Sequence, residues 1–188
     1  EDEVYDNPDF MEAAKFVCAP PLRKREDREA LWEALRGGEI DTVATDHCSF
    51  TAAQKRAGRY DFTRIPGGLP GVEHRGVLLY TYGVAAGRIT AADMCRVLSE
   101  NPAKLYGCWP RKGVIAPGSD GDIVVYDPAA NSVISAADQA QHTDYTPYES
   151  WETAGSIAQV YLRGRLAVNR GEVQDVQGQF IPREKNQL

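Results

Sequence analysis

The sequence has 188 residues, 43% hydrophobic and 26% charged, an ordinary composition for a soluble protein of one medium domain or two small ones. A formal net charge of −6 argues against nucleic acid or an anionic membrane as partner, because both select a basic surface. No apolar run approaches the roughly 20 residues of a membrane-spanning helix.

Residues 1–9 are polar and read as loop, and the acidic Glu1-Asp2-Glu3 is unlike the basic start of a signal peptide. Position 1 is Glu rather than Met, and the polar opening runs straight into an apolar stretch, so a piece of a longer protein is expected; a processed mature form is the alternative. Lys15-Phe16-Val17-Cys18-Ala19 predicts a short strand, stopped by Pro20-Pro21. Residues 25–36 carry a helical pattern, with Ala30, Leu31, Ala34 and Leu35 on one face and Gly37-Gly38 as the stop. A second buried strand is expected at 40–45. Strand, helix and strand joined by short connections are the repeat of a parallel α/β sheet or barrel.

From about Cys48 to Gly71 the chain reads as a long loop holding Lys55, Arg56, Arg59 and Arg64. Loops of that length in compact domains are usually functional; a solvated excursion is the plainer reading. Helices are expected over 72–84, over 91–99 behind a Thr90 cap, and over 103–106 after Asn101-Pro102, closed by Gly107. Near Arg111 the texture turns to β. Asp122-Ile123-Val124-Val125-Tyr126 is a strand, and 157–162 with 166–169 form a hairpin about Gly164-Arg165. The expected division is therefore 1–110 and 111–188.

Asp46, in Thr45-Asp46-His47-Cys48-Ser49-Phe50, stands at the C-terminal end of the second expected strand, where α/β barrels place their chemistry. A carboxylate there can ligate a metal and move a proton. On the residues alone it reads either as a site residue or as a turn aspartate, with His47 favouring the first. A catalytic zinc needs about three protein ligands and an open position. The other histidines, His74 in an expected helix and His142 in a polar loop, read as packing or solvent residues. A Cys48–His47 pair is disfavoured, since strand neighbours point to opposite faces. The four cysteines, Cys18, Cys48, Cys95 and Cys108, contain no Cys-x-x-Cys pair and read as reduced thiols in a cytoplasmic protein. No His-x-His, His-Glu-x-x-His, Gly-x-Ser-x-Gly or Gly-x-Gly-x-x-Gly pattern is present, so these residues do not build a complete metal site by themselves.

Several segments together resemble the dihydropyrimidinase/hydantoinase branch of the amidohydrolase superfamily. They are Val17-Cys18-Ala19-Pro20-Pro21-Leu22-Arg23, the Asp46 segment, and Ile65-Pro66-Gly67-Gly68-Leu69-Pro70-Gly71-Val72-Glu73. Asn101-Pro102-Ala103-Lys104-Leu105-Tyr106-Gly107, residues 113–127, and Asp144-Tyr145-Thr146-Pro147-Tyr148-Glu149 continue the match in family order. The wording from Arg64 to Pro70 is closest to bacterial aryl-hydantoinases. The resemblance implies an α/β fold. Residues 1–110 would be the last two strand–helix units of a (β/α)8 TIM-type barrel, and 111–188 the C-terminal strands of a small β-sandwich domain.

The resemblance also implies hydrolysis of a cyclic amide or ureide by two metals, usually zinc, which share a carboxylated lysine and a bridging hydroxide. Asp46 would ligate one metal and act as general base, passing a proton to the leaving nitrogen. Ala19 and Gly67 match positions that hold the substrate, mainly through backbone groups. The family commonly has Ser at the first and Asn at the second, so side-chain contacts there would be lost. The lysine and the remaining ligands match no residue of this chain, so the chain alone is expected to be inactive. The implied partners are a small cyclic substrate and further copies in a homotetramer, with no nucleic acid and no membrane. Two alternatives stay open: a non-catalytic assembly protein of the same fold, and another cyclic amidase of dihydroorotase or allantoinase type.

Overall fold

The computed structural model describes residues 2–188. It divides into two units, each assembled from three stretches of chain. The first takes the stretches up to Glu33, Thr45–Arg75 and Val133–Glu152; the second takes Ala34–Ala44, Gly76–Ser132 and Thr153–Leu188.

In the first unit the polar N-terminal stretch is not all loop. It carries α1 (Asp2–Tyr5) and α2 (Phe10–Ala14), the second started by Asp9, whose side chain accepts from the Met11 amide at 2.7 Å. The Tyr5 hydroxyl donates to the Phe16 carbonyl at 3.2 Å and accepts from the Leu22 amide at 3.2 Å, pinning the following segment. α3 (Arg25–Gly37) matches its expected span; residues 25–33 fall in this unit and 34–37 in the second, and Gly38 at φ 80° ends it. The long 48–71 excursion also has structure of its own. Thr51 and Gln54 form a reciprocal capping box that opens α4 (Ala52–Arg56), and Asp61 caps a 3-10 turn at Phe62–Arg64.

α5 (Arg75–Leu79) starts three residues later than expected, at the last residue of a first-unit stretch, and its remaining residues in the second unit run into a π-helical turn at Tyr80–Ala85. α6 (Ala91–Cys95) starts at the expected Thr90 cap. A π turn at Arg96–Glu100 joins it to α7 (Asn101–Leu105) without a break. Leu35, Leu79, Ile89, Val97 and Ala103 form the buried apolar set here.

Neither strand expected at 15–19 nor that at 40–45 is in a ladder among the described residues. Phe16 and Val17 donate back to Ala13 and Ala14, so the first expected strand begins as a turn off α2. The 40–44 stretch is irregular and anchored to helix groups. The Val43 amide donates to the Val97 carbonyl at 3.2 Å, and the Asn101 side-chain amide donates to the Asp41 carbonyl at 3.0 Å. No residue of 15–19 or 40–45 is buried, and Asp41 and Ala44 are exposed, so the expected burial is not found either; a parallel strand needs a neighbouring edge, which the described residues do not offer.

The β elements are β1 (Ile123–Asp127), β2 (Ser132–Val133), β3 (Glu152–Thr153), β4 (Ser156–Leu162), β5 (Arg165–Asn169) and β6 (Glu172–Val173). Four of them form an antiparallel sheet in the order β1-β4-β5-β6, with Val124 opposite Val160 and Val160 opposite Val168. The hairpin turn falls on Arg163 and Gly164, at φ 49° and 74°, one residue before its expected place. No described helix is long and apolar enough to cross a membrane.

Candidate active site

Asp46 sits at φ 47°, in the left-handed region. Few non-glycine residues adopt it; aspartate is among the more tolerant because its short side chain finds local polar partners. The turn closes when the His47 amide donates to Thr45 Oγ1 at 3.3 Å. Its result is an exposed carboxylate. A strained backbone of this kind at a polar, exposed position is the sort of outlier that collects at functional sites.

His47 is committed elsewhere. Its Nδ1 accepts from the amides of Gly71 and Val72 at 3.0 and 3.2 Å. The Nδ1 lone pair is therefore in use, and the hydrogen-bond pattern assigns the ring proton to Nε2. His47 clamps the 71–72 segment against the Asp46 turn, so Nδ1 is not a free metal ligand.

Ala19 and Gly67 lie side by side. A Cβ on Gly67 would stand 3.6 Å from the Ala19 nitrogen and 3.7 Å from its Cβ. Both residues are exposed, and neither uses its backbone N–H or C=O in a hydrogen bond among the described residues. Two further backbone bonds stitch the segments together: Gly68 N to Val17 O at 3.1 Å, and Cys48 N to Leu69 O at 3.1 Å. Gly68 approaches Cys48 so closely that an added Cβ would lie 2.4 Å from the Cys48 carbonyl oxygen. The three segments bearing Asp46, Ala19 and Gly67 thus belong to one packed cluster of the first unit.

Lys55 was read from sequence only as one of several loop cations. In the structure its side chain is fully buried, and Nζ donates to the carbonyls of Val17, Pro66 and Gly68 at 2.7, 2.7 and 3.0 Å. Burial pushes the ammonium below its ordinary value, while the Cys18 and Cys48 thiols pull it back up. A local signal was present: Thr51-Ala52-Ala53-Gln54 is a capping-box sequence that marks a helix beginning inside the loop.

The acidic residues of the expected motifs serve backbone amides. Glu73 accepts from the amides of Ala140 and Gln141 at 2.8 and 3.0 Å. Asp144 accepts from Ala52 at the start of α4 at 2.8 Å, and Glu149 accepts from Ala136 at 2.8 Å. His142 is exposed, as expected for its polar loop.

His74 lies in the turn before α5, is 6% exposed, and has no partner for Nδ1; its ring meets the edge of Tyr148 at 5.8 Å. Burial pushes its imidazole below the ordinary 6.5, with Glu73 acting in the opposite direction. The unfolded chain therefore binds a proton at a higher pH than the folded one. Stability is undiminished above about pH 6.5 and falls with pH from there down to the lowered folded value. Thermal melts of wild type and His74→Phe at pH 7.5 and 5.5 check this. The wild type is expected to lose more stability than the variant at the lower pH; an equal loss would contradict the assignment.

Among the described residues no group of three or more His, Cys, Asp or Glu could hold a metal ion. One exposed carboxylate fits a single oxygen ligand, and no more of a metal site is built among the described residues.

Residues 7–167 match the Amidohydrolase family. The D-phenylhydantoinase of Escherichia coli (strain K12 / DH10B) is 43% identical over 165 residues, covering 87% of this chain and 35% of that protein. Among solved structures, the D-hydantoinase (dihydropyrimidinase) from Thermus sp. superimposes with a TM-score of 0.84 at 46% identity, covering 87% of this chain and 36% of its own. D-Hydantoinase from a Bacillus sp. AR9 gives 0.88 at 43% identity, covering 92% and 38%. These relatives have the TIM-barrel amidohydrolase fold. The chain spans about a third of their length, 35% in the E. coli case.

Proposed function

This chain belongs to the amidohydrolase family, and from that premise we propose that it is part of a metal-dependent enzyme that hydrolyses a C–N bond of a cyclic amide or ureide. The reaction is the opening of a hydantoin or dihydropyrimidine ring to an N-carbamoyl amino acid. The names of the relatives, D-phenylhydantoinase and D-hydantoinase (dihydropyrimidinase), support the substrate class. In this reading residues 1–110 belong to the barrel and 111–188 to a small β-sandwich. The wholly antiparallel sheet from Ile123 onward supports that division.

The observation that carries the proposal is the Asp46 turn, an exposed carboxylate in the same packed cluster as two exposed segments with unspent backbone groups. Asp46 would be one oxygen ligand of a pair of zinc ions, the other ligands and a carboxylated lysine coming from outside this chain. When bound, the metals would acidify water and polarise the scissile carbonyl. The remaining chemistry belongs to the residues present. The Asp46 carboxylate takes the proton from the attacking water and delivers it to the departing ring nitrogen, a general base that becomes a general acid. A cyclic ureide presents C=O and N–H groups side by side. The free N–H and C=O of Ala19 and Gly67 match that pattern and would hold the ring in the site by hydrogen bonds made alike in the ground state and the transition state.

The test is turnover of 5-substituted hydantoins and dihydrouracil by the full-length zinc-loaded protein, with the carbamoyl product quantified by chromatography. The proposal expects ring opening that is lost on chelation and restored by zinc, and no ring opening by residues 1–188 alone. Folded, zinc-loaded full-length protein that opens neither ring contradicts it. Zinc near two per subunit would also separate the enzyme from a non-catalytic assembly protein.

A further inference from the structure

We propose that Lys55 is a positioning residue for substrate binding: its buried ammonium aligns the backbone groups of Ala19 and Gly67 that face the substrate. This rests on the functional reading above. Lys55 itself does not touch the substrate.

A fully buried lysine is normally matched to a carboxylate, because an isolated charge is costly to desolvate. No ion pair with Lys55 occurs among the described residues; its three N–H groups go to three backbone carbonyls instead. That satisfies every donor it has. Carbonyls are weaker partners for a charge than a carboxylate, so a lysine kept there for packing or charge balance alone would be a poor choice. An ammonium with three diverging donors is well suited to a different task, holding three separate carbonyls at one point.

The identity of those carbonyls gives the task its meaning. Pro66 and Gly68 flank Gly67, and Val17 lies two residues before Ala19. The Val17 carbonyl receives both the ammonium and the Gly68 amide, the latter at 3.1 Å, so the two segments share an acceptor. With the carbonyls on either side of it drawn inward, Gly67 keeps its own peptide groups unpaired and exposed. Ala19, in contact with Gly67, is exposed and unpaired in the same way. α4, opened by its Thr51–Gln54 capping box, holds Lys55 in place, and the Phe50 ring lies 5.7 Å from Nζ. The long loop is thereby a scaffold under the substrate-facing backbone rather than a solvated excursion.

Hydantoin kinetics of the full-length zinc-loaded enzyme test this with Lys55→Met, which keeps an unbranched side chain one atom shorter and removes its donors. Loss of alignment without loss of Asp46 or metal is expected to raise KM about tenfold, with kcat within about threefold of wild type and zinc content unchanged. A folded Lys55→Met enzyme whose KM stays within about twofold of wild type overturns the proposal, as does a variant whose kcat falls together with its zinc content. Gln54→Ala breaks the capping box at an exposed position and serves if Lys55→Met does not fold. It is expected to raise KM about two- to threefold, and an unchanged KM overturns the proposal. If wild type opens no cyclic amide, the functional reading fails on its own. Amide hydrogen exchange then reads the alignment separately: Gly68 is expected to exchange about tenfold faster in the variant, and unaltered exchange overturns the role of Lys55.

Discussion

Asp46→Asn is expected to lower kcat of the full-length enzyme by a factor of about 10²–10⁴, the usual range for removal of a general acid–base group. The substitution isolates the chemistry from the fold. Asparagine is, with aspartate, the non-glycine residue most at ease in the left-handed region, so the turn at φ 47° is retained. The carboxylate is exposed, so no buried partner is orphaned by its loss. What disappears is the negative charge that would bind a cation and the oxygen that would carry a proton. The melting temperature should stay within about 2 °C of wild type, since exposed substitutions usually cost under about 0.5 kcal/mol. A kcat within about threefold of wild type would remove Asp46 from the chemistry.

Two neighbouring glycines are expected to behave in opposite ways. In Gly68→Ala the new Cβ would lie 2.4 Å from the Cys48 carbonyl oxygen, 2.8 Å from the Cys48 Cβ and 2.9 Å from Phe50 Cε2. Two of those atoms belong to the rigid part of the chain just beyond Asp46, so the strain cannot be relieved by rotating one side chain. Overpacking of this kind costs about 1–3 kcal/mol or more. Moving Cys48 also disturbs the Asp46 turn, and misplacement of about 1 Å can cost a factor of about 10² in rate. Gly67→Ala, by contrast, places its Cβ no closer than 3.6 Å to any atom beyond its chain neighbours, an ordinary contact at an exposed position. Its melting temperature should stay within about 2 °C of wild type. Thermal melts and kcat of the two variants measured together check the pair. Equal behaviour would contradict the packing assigned to residues 67–68.

Much of the secondary structure is local enough to be read from sequence. The apolar spacing of α3, the Thr90 cap, and the hairpin around residues 163–165 all depend on near neighbours, and they appear where local rules place them. The stretches at 15–19 and 40–45 show the limit. Their composition suggests buried strands, yet none of their residues is buried, because both a covering layer and a pairing edge must come from distant residues. The same distinction governs the site. Asp46 stood out as an acidic residue after an apolar run, whereas its left-handed turn is a backbone property that no local pattern in Thr45-Asp46-His47 announces. Ala19 and Gly67 are chemically bland, and only resemblance to a family drew attention to them. Lys55 was hidden by the usual rule that a lysine in a polar, basic loop is solvated; its burial depends on carbonyls up to 38 positions away. His47 favours a site role for its neighbour Asp46 in the sequence, whereas its ring accepts from two amides 24 and 25 residues further along the chain, which no local pattern announces.

The central claim is that Asp46 is a metal ligand in the assembled enzyme. Anomalous diffraction at the zinc edge from crystals of the full-length protein tests it most directly. The account predicts an anomalous peak about 2.0–2.2 Å from an Asp46 carboxylate oxygen. A fully occupied metal centre with both Asp46 oxygens outside bonding distance would contradict it.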